Sequence, residues 1–160
     1  MVVPSSSSPF TQSNDPTTFG PPMIGALLRA PWEAVQSHML RRLHENGCAD
    51  FDAAYLPVFG YPGPQGARPS ELAARLGMSK QALNYLLGQL EQLGYLTRET
   101  DDSDQRSKRI VLTPRGLGAG QVIRGAVAEL ERSWTELLGA ERFAQLRTML
   151  QELSALKDLR

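Results

Sequence analysis

Residues 70–116 read SELAARLGMSKQALNYLLGQLEQLGYLTRETDDSDQRSKRIVLTPRG, and this stretch decides the fold. Ser70 is placed to cap a helix, with Glu71 in a first turn whose dipole favours a carboxylate. Leu72, Ala73 and Leu76 supply the apolar side, and Gly77 ends the helix. Only Met78 separates Gly77 from Ser79, the cap of a second helix that runs to Leu93 and closes at Gly94. Two short helices joined by a glycine-containing turn are the helix-turn-helix signal. Residues 95–98 and 109–112 then read as strands around a polar turn, 100–105, giving a hairpin with a long charged tip. Thr113-Pro114, a cap followed by proline at the first helical position, starts another helix.

The second helix of the pair has two faces. Leu83, Leu86, Leu87 and Leu90 share one and belong in a core. Gln81, Asn84, Tyr85 and Gly88 lie on the other, with Ser79 and Lys80 at its start. Gln and Asn can each make paired hydrogen bonds to adenine in the major groove. Lys80 and the helix N-terminus suit phosphate, and Gly88 lets a helix backbone approach closely. Any surface helix also turns polar residues outward, so this face alone does not establish DNA binding. The hairpin adds a second signal. Arg98 lies on its outgoing arm and Arg106, Lys108 and Arg109 on its return, as in a wing whose arginine enters the strongly negative minor groove. Residues 68–115 hold eight Lys or Arg against six Asp or Glu, of which Asp101, Asp102 and Asp104 crowd the tip. A solvated hairpin of mixed charge is the alternative.

Working outward, an apolar stripe of Ile24, Leu27, Leu28, Trp32, Val35, Met39 and Leu43 predicts a helix that Pro31 kinks or splits and Asn46-Gly47 stops. Asp50 is placed to cap a short helix over 51–59, and Gly60 to Gly66 is a loop. On the far side, Leu117, Val122, Ile123, Val127, Leu130, Trp134 and Leu137 stripe a helix broken at Gly139. Phe143, Leu146, Leu150 and Leu153 stripe a last one. Residues 1–21, with Ser5–Ser8 and repeated prolines, read as a disordered tail. No internal repeat is present.

The whole composition narrows the function. The chain has 160 residues, 17 Lys+Arg and 17 Asp+Glu, hence no formal net charge, which argues against coating nucleic acid by charge alone. One cysteine excludes an intramolecular disulfide framework and fits a reducing, cytoplasmic setting. No apolar run approaches the about 20 residues of a membrane helix, and residues 1–10 lack the basic and apolar regions of a secretory signal. No phosphate-binding glycine loop, nucleophile elbow or acid–histidine pair at helical spacing is present, so the protein is not expected to be an enzyme or to hold a cofactor. His44 and Cys48 are four residues apart, but Gly47 ends the helix between them and His38 faces elsewhere, so no metal site is expected. Cys48 has no adjacent Lys or Arg to activate it and reads as an inert thiol.

Ser70-Glu71-Leu72-Ala73, Ser79-Lys80-Gln81-Ala82-Leu83, Leu90-Glu91-Gln92-Leu93-Gly94-Tyr95-Leu96, Asp101 to Arg106 and Leu112-Thr113-Pro114-Arg115-Gly116 together resemble the MarR family of winged-helix regulators, over residues 23–155. The resemblance implies a mainly α fold with a small β-hairpin wing, a winged helix-turn-helix that is dimeric through a helical region. The tail is then 1–21, the N-terminal dimerisation helix 22–48, the DNA-binding domain 49–116 and the C-terminal dimerisation helices 117–160. Three apolar-striped helices outside a small winged domain also carry more greasy surface than one protomer covers, unless they pack together as a monomeric bundle.

By the resemblance, Ser79, Gln81 and Asn84 enter the major groove, Arg106 the minor groove, and Asp104 orients the wing; Lys80, Tyr85, Arg98 and Lys108 complete the expected DNA-contacting set. Tyr85 departs from the family, where arginine is common; tyrosine can stack, bond a phosphate or touch a thymine methyl, but it cannot fork onto guanine. The implied function is sequence-specific binding of double-stranded DNA at a near-palindromic operator, as a transcriptional repressor. A small aromatic effector is implied in a cleft that Trp32, Met39, Tyr55 and Phe59 would line, though the same residues suit a plain core. The alternative is a winged-helix module that binds protein rather than DNA.

Overall fold

A computed structural model describes residues 22–59, 66–101 and 104–156, without the side chains of 101 and 104–107. The expected tail at 1–21 and most of the expected loop at 60–66 lie outside the described residues. The chain forms α1 (Ile24–Glu45), a 3-10 turn (Ala53–Tyr55), α2 (Leu56–Phe59), α3 (Pro69–Leu76), α4 (Lys80–Gln92), β1 (Leu96–Asp101), β2 (Asp104–Leu112), α5 (Pro114–Leu138) and α6 (Ala140–Ala155). β1 and β2 are an antiparallel pair with Leu96 opposite Leu112 and Thr100 opposite Lys108. This is the mainly helical, winged helix-turn-helix architecture expected from the sequence.

Local chemistry explains most boundaries. Ser79 Oγ accepts from the N–H of Ala82 at the start of α4, and Thr113 Oγ accepts from Gly116 N–H at the start of α5. Gly77, Gly94 and Gly139 follow helices with positive φ, the backbone state that glycine enters without a Cβ clash. Four expectations need correction. Pro31 does not split α1, which runs unbroken through it; the missing proline N–H costs one bond of many in an otherwise regular helix. α3 begins at Pro69, not after a Ser70 cap, because proline suits the first helical position and Glu71 reaches back to the N–H of Arg68 at 3.3 Å. The cap before the 3-10 turn is Asp52, which accepts from Ala54 N–H, and not Asp50. The hairpin ladder also reaches Asp101 opposite Asp104, so its strands are longer and its tip shorter than expected.

One core binds the elements. Leu43 of α1, Leu72 of α3, Leu83, Leu87 and Leu90 of α4, Leu96 of β1 and Ile110 of β2 are buried together. Phe51, Phe59 and Tyr95 join them as a set of edge-to-face rings, with Tyr55 half-buried at its margin. Ala67 adds a single extended bridge to Ile110, through hydrogen bonds of 3.0 and 2.8 Å, so α3 is tied directly to β2. α1 and α6 both pack on α5. They leave Ile24, Leu27, Leu28 and Trp32 of α1, Leu137 of α5 and Met149, Leu150 and Leu153 of α6 exposed.

Candidate nucleic-acid interface

The helical period of α4 divides it as the sequence predicts. Leu83, Leu87 and Leu90 are buried and Leu86 is half-buried. Lys80, Gln81, Asn84 and Tyr85 are exposed, with Tyr85 67% open to solvent, and Ser79 sits exposed at the cap. An added Cβ at Gly88 would meet nothing within 4 Å, so this part of the helix surface is open to a neighbour. The structure thus gathers Lys80, Gln81, Asn84 and Tyr85 on one accessible helix surface.

The hairpin residues separate into three groups. Lys108 is exposed, its ammonium donating to Thr100 Oγ1 at 3.2 Å. Arg98 is half-buried: its Nε lies 3.3 Å from Glu91 Oε2 of α4, without hydrogen-bond geometry. That contact joins β1 to α4, a role the sequence did not signal for it. Asp104 and Arg106 fall in β2 by their backbone, and their side chains lie outside the described residues. Arg109 donates to the Gly66 carbonyl at 3.2 Å and so ties the segment before α3 to the sheet.

The four residues expected to line an effector cleft lie in different settings. Met39 and Phe59 are packed in the core, where apolar contacts to neighbouring helices take up their surface. Tyr55 is half-buried against Phe51, and Trp32 is half-exposed on the outer half of α1. Cys48 is buried. The ring of His44 meets the Phe51 carbonyl at 2.9 Å, and that of His38 meets Glu129 at 3.1 Å and Arg41 at 2.7 Å. Among the described residues no group of three or more His, Cys, Asp or Glu could hold a metal ion.

Sequence reasoning missed a polar clamp behind α4. Arg115 Nη2 donates to both carboxylate oxygens of Asp50, at 2.8 and 2.9 Å, and the hydroxyl of buried Tyr95 donates to Asp50 Oδ1 at 2.7 Å. Arg115 also donates to the Leu93 carbonyl and lies over the Tyr95 ring, 4.2 Å from its centroid. The only sequence cue was a buried-type tyrosine directly after the helix stop, a residue whose hydroxyl needs a partner. The Tyr95 hydrogen bond, and then Arg115, hold the Asp50 carboxyl below its usual range, while burial raises Tyr95. A folded value below the unfolded one stabilises above the ordinary carboxylate value of about 4, and that contribution disappears as pH falls through the folded value. The melting-temperature gap between the wild type and Asp50→Asn should therefore narrow below about pH 4. A gap that stays constant on acidification contradicts this role for the carboxylate.

Comparison with known proteins agrees with this geometry. A sequence model of the MarR family matches residues 60–107, which take in α3, α4, β1 and the start of β2. The chain is 31% identical over 85 residues to the uncharacterized HTH-type transcriptional regulator YkoM of Bacillus subtilis, a match spanning 53% of this chain and about half, 54%, of that relative. Among solved structures it is similar to the transcriptional repressor CouR bound to a 23-mer DNA duplex, with a TM-score of 0.64, 25% identity, and coverage of 82% of this chain and 92% of that one. It is also similar in fold to NadR in complex with 4-hydroxyphenylacetate, with a TM-score of 0.66, 23% identity, and coverage of 89% and 100%. Among the described residues, no helix is long and apolar enough to cross a membrane. The paired-helix unit with its hairpin is thus similar in sequence to the MarR family of regulators, and most of the chain is similar in fold to the repressor CouR.

Proposed function

We propose that the protein regulates transcription by binding a specific double-stranded DNA site as a homodimer. The observation that carries this reading is the exposed surface of α4, where Gln81, Asn84 and Tyr85 stand clear of the core beside the Lys108 arm of the hairpin. CouR, of similar fold, is a repressor bound to a DNA duplex, which supports the same use here and a repressor's role. Residues 49–116 act as the DNA-binding domain. Residues 22–48 and 117–160 form the dimer base; the exposed Leu27, Leu28 and Trp32 of α1 and Leu150 and Leu153 of α6 favour a second copy as their cover. Two recognition helices related by a twofold axis meet successive major grooves about 34 Å apart, hence a near-palindromic operator. The protein acts in the cytoplasm, where such an operator is reached.

NadR binds 4-hydroxyphenylacetate, so a small aromatic effector is the expected ligand class. It would act by binding the DNA-competent and incompetent dimers unequally. With Met39 and Phe59 in the core, Trp32 and Tyr55 are the members of the expected cleft still open to such a ligand. The reaction class is binding, not catalysis, in keeping with a family of regulators.

Selection from random duplexes followed by sequencing tests the reading. An enriched inverted repeat with half-site centres about 10 base pairs apart is expected. Gln81→Ala and Asn84→Ala should each cost about 1–3 kcal/mol of discrimination at the bases they read. Arg106→Ala should weaken operator binding with little loss of fold. No enrichment, and no DNA binding even at low salt, would leave the protein-binding module as the better account.

A further inference from the structure

Arg115 sits where three parts of the fold converge. It lies in the first turn of α5, where a cation opposes the helix dipole, so the position is unfavourable within α5 alone. Its partners belong to other elements. It donates to the carbonyl of Leu93, the last residue of α4 before the Gly94 turn, where the dipole favours a cation. It also donates to both carboxylate oxygens of Asp50. Asp50 in turn is tied to α1, because the chain folds back past the end of that helix. Cys48 N–H donates to the Leu43 carbonyl at 3.0 Å, and the His44 ring donates to the Phe51 carbonyl at 2.9 Å. Further along, His38 and Arg42 of α1 both reach Glu129 of α5, at 3.1 and 3.2 Å. The two long helices are thus one unit, and Arg115 with Asp50 is a polar link from that unit to the end of α4.

Resting on the DNA-binding reading above, we propose that Arg115 and Asp50 are positioning residues for operator recognition. They fix the tilt of α4 against α1 and α5, and with it the half-site spacing that a dimer accepts. The lever is the helix itself. Arg115 holds α4 at its C-terminal end, whereas Gln81 and Asn84 stand in its first turns. At a rise of about 1.5 Å per residue, Gln81 lies about 18 Å along the helix from Leu93. A tilt of about 10° at the Leu93 end therefore carries Gln81 by about 3 Å, close to the rise of one base pair. Leu83, Leu87 and Leu90 hold α4 by apolar contact, which is non-directional. The charge-assisted hydrogen bonds of Arg115 are directional, and they set the angle. In a dimer the slack at two such joints adds, so their loss blurs the distance between the two reading faces more than it harms either face alone.

The test uses the full-length protein and fluorescence anisotropy at one salt concentration. The duplexes are the selected operator, the same operator with its half-sites one base pair closer or farther, and a single half-site. One base pair moves a half-site by about 3.4 Å and turns it by about 35°. The wild type is expected to prefer the selected spacing. Arg115→Ala should bind the selected operator about tenfold more weakly, with little further loss on the altered spacings, so that the preference flattens. Its affinity for the single half-site should stay within about twofold of the wild type, which also shows that the winged unit is folded. Asp50→Asn should flatten the preference in the same way. Arg115→Lys keeps the charge without the planar fork and should restore part of it. An equal loss on every duplex, or a spacing preference that Arg115→Ala leaves unchanged, overturns the positioning role while leaving DNA binding intact. A wild-type chain that binds no duplex, or binds the single half-site as well as the operator, overturns the dimeric DNA-binding reading itself.

Discussion

Gly116→Ala is expected to destabilise the protein by about 3 kcal/mol or more, a drop in melting temperature of about 6–12 °C. Gly116 is the third residue of α5 and is buried. A Cβ there would stand 1.9 Å from the carbonyl oxygen of Tyr95 and 3.3 Å from Leu112 Cβ. The obstacle is backbone, and it is held from several sides. The Tyr95 carbonyl accepts from Thr113 N–H at 3.1 Å, the Tyr95 ring is fully buried, and Thr113 Oγ1 donates to the Gly94 carbonyl at 2.6 Å. Relieving the clash moves α5 away from the α4–β1 turn and loosens those contacts together. Gly118→Ala is the matched control. It sits two residues on in the same helix, a Cβ there meets nothing within 4 Å, and it should gain about 0.5–1 kcal/mol from helix propensity alone. Thermal melts at one protein concentration decide the matter. Equal melting of the two variants would contradict the close approach.

Phe51→Ala should cost about 3–5 kcal/mol, a large part of the about 5–15 kcal/mol of a typical domain. Phe51 is almost wholly buried, and its ring meets Tyr55, Phe59 and Tyr95 edge-to-face, with centroids 5.6, 5.2 and 5.2 Å away. Removing it leaves a cavity among three aromatic rings and forfeits edge-to-face attraction of about 0.5–1.5 kcal/mol per pair beyond area burial. Phe51→Leu fills more of that space and should cost clearly less. Urea unfolding of both variants distinguishes the two. A cost below about 1 kcal/mol for Phe51→Ala would mean that the ring cluster does not organise this core.

Both positions lie away from the proposed DNA-contacting surface, yet both bear on it. α4 is held by its leucine face, by the turn at Gly94 and by the clamp from Asp50 and Arg115. Moving the start of α5 or emptying the Phe51 site changes the support under the helix that carries Gln81 and Asn84. Such variants should lose operator affinity through misplacement, whereas Asn84→Ala should lose it with an unchanged melting temperature.

Helix existence, helix ends and the two-faced character of α4 could all be read from residue order, because each is set by interactions within a few positions. A serine hydroxyl reaches an N–H three residues on, a glycine alone enters positive φ without strain, and a leucine recurs on one face every three or four residues. The same locality explains the errors. Asp50 and Asp52 are equally plausible caps by composition, and only the packing of Tyr95 and Arg115 over Asp50 assigns the cap to Asp52. The sequence also gives no sign that Arg98 of the hairpin lies 3.3 Å from Glu91 of α4, because the two meet only in the folded chain. Trp32, Met39, Tyr55 and Phe59 share an aromatic or apolar character suited to a cleft or to a core, and that choice depends on which helices close over them.

Residue order by itself therefore determined the paired helices, the hairpin after them, the long apolar helices on either side and the polar face proposed to meet DNA. Tertiary structure alone decided the clamp joining Asp50 to Arg115 and the approach of Gly116 to the Tyr95 carbonyl. Each of these joins groups from separate elements, and no short-range pattern encodes a contact whose partners meet only when the core has closed.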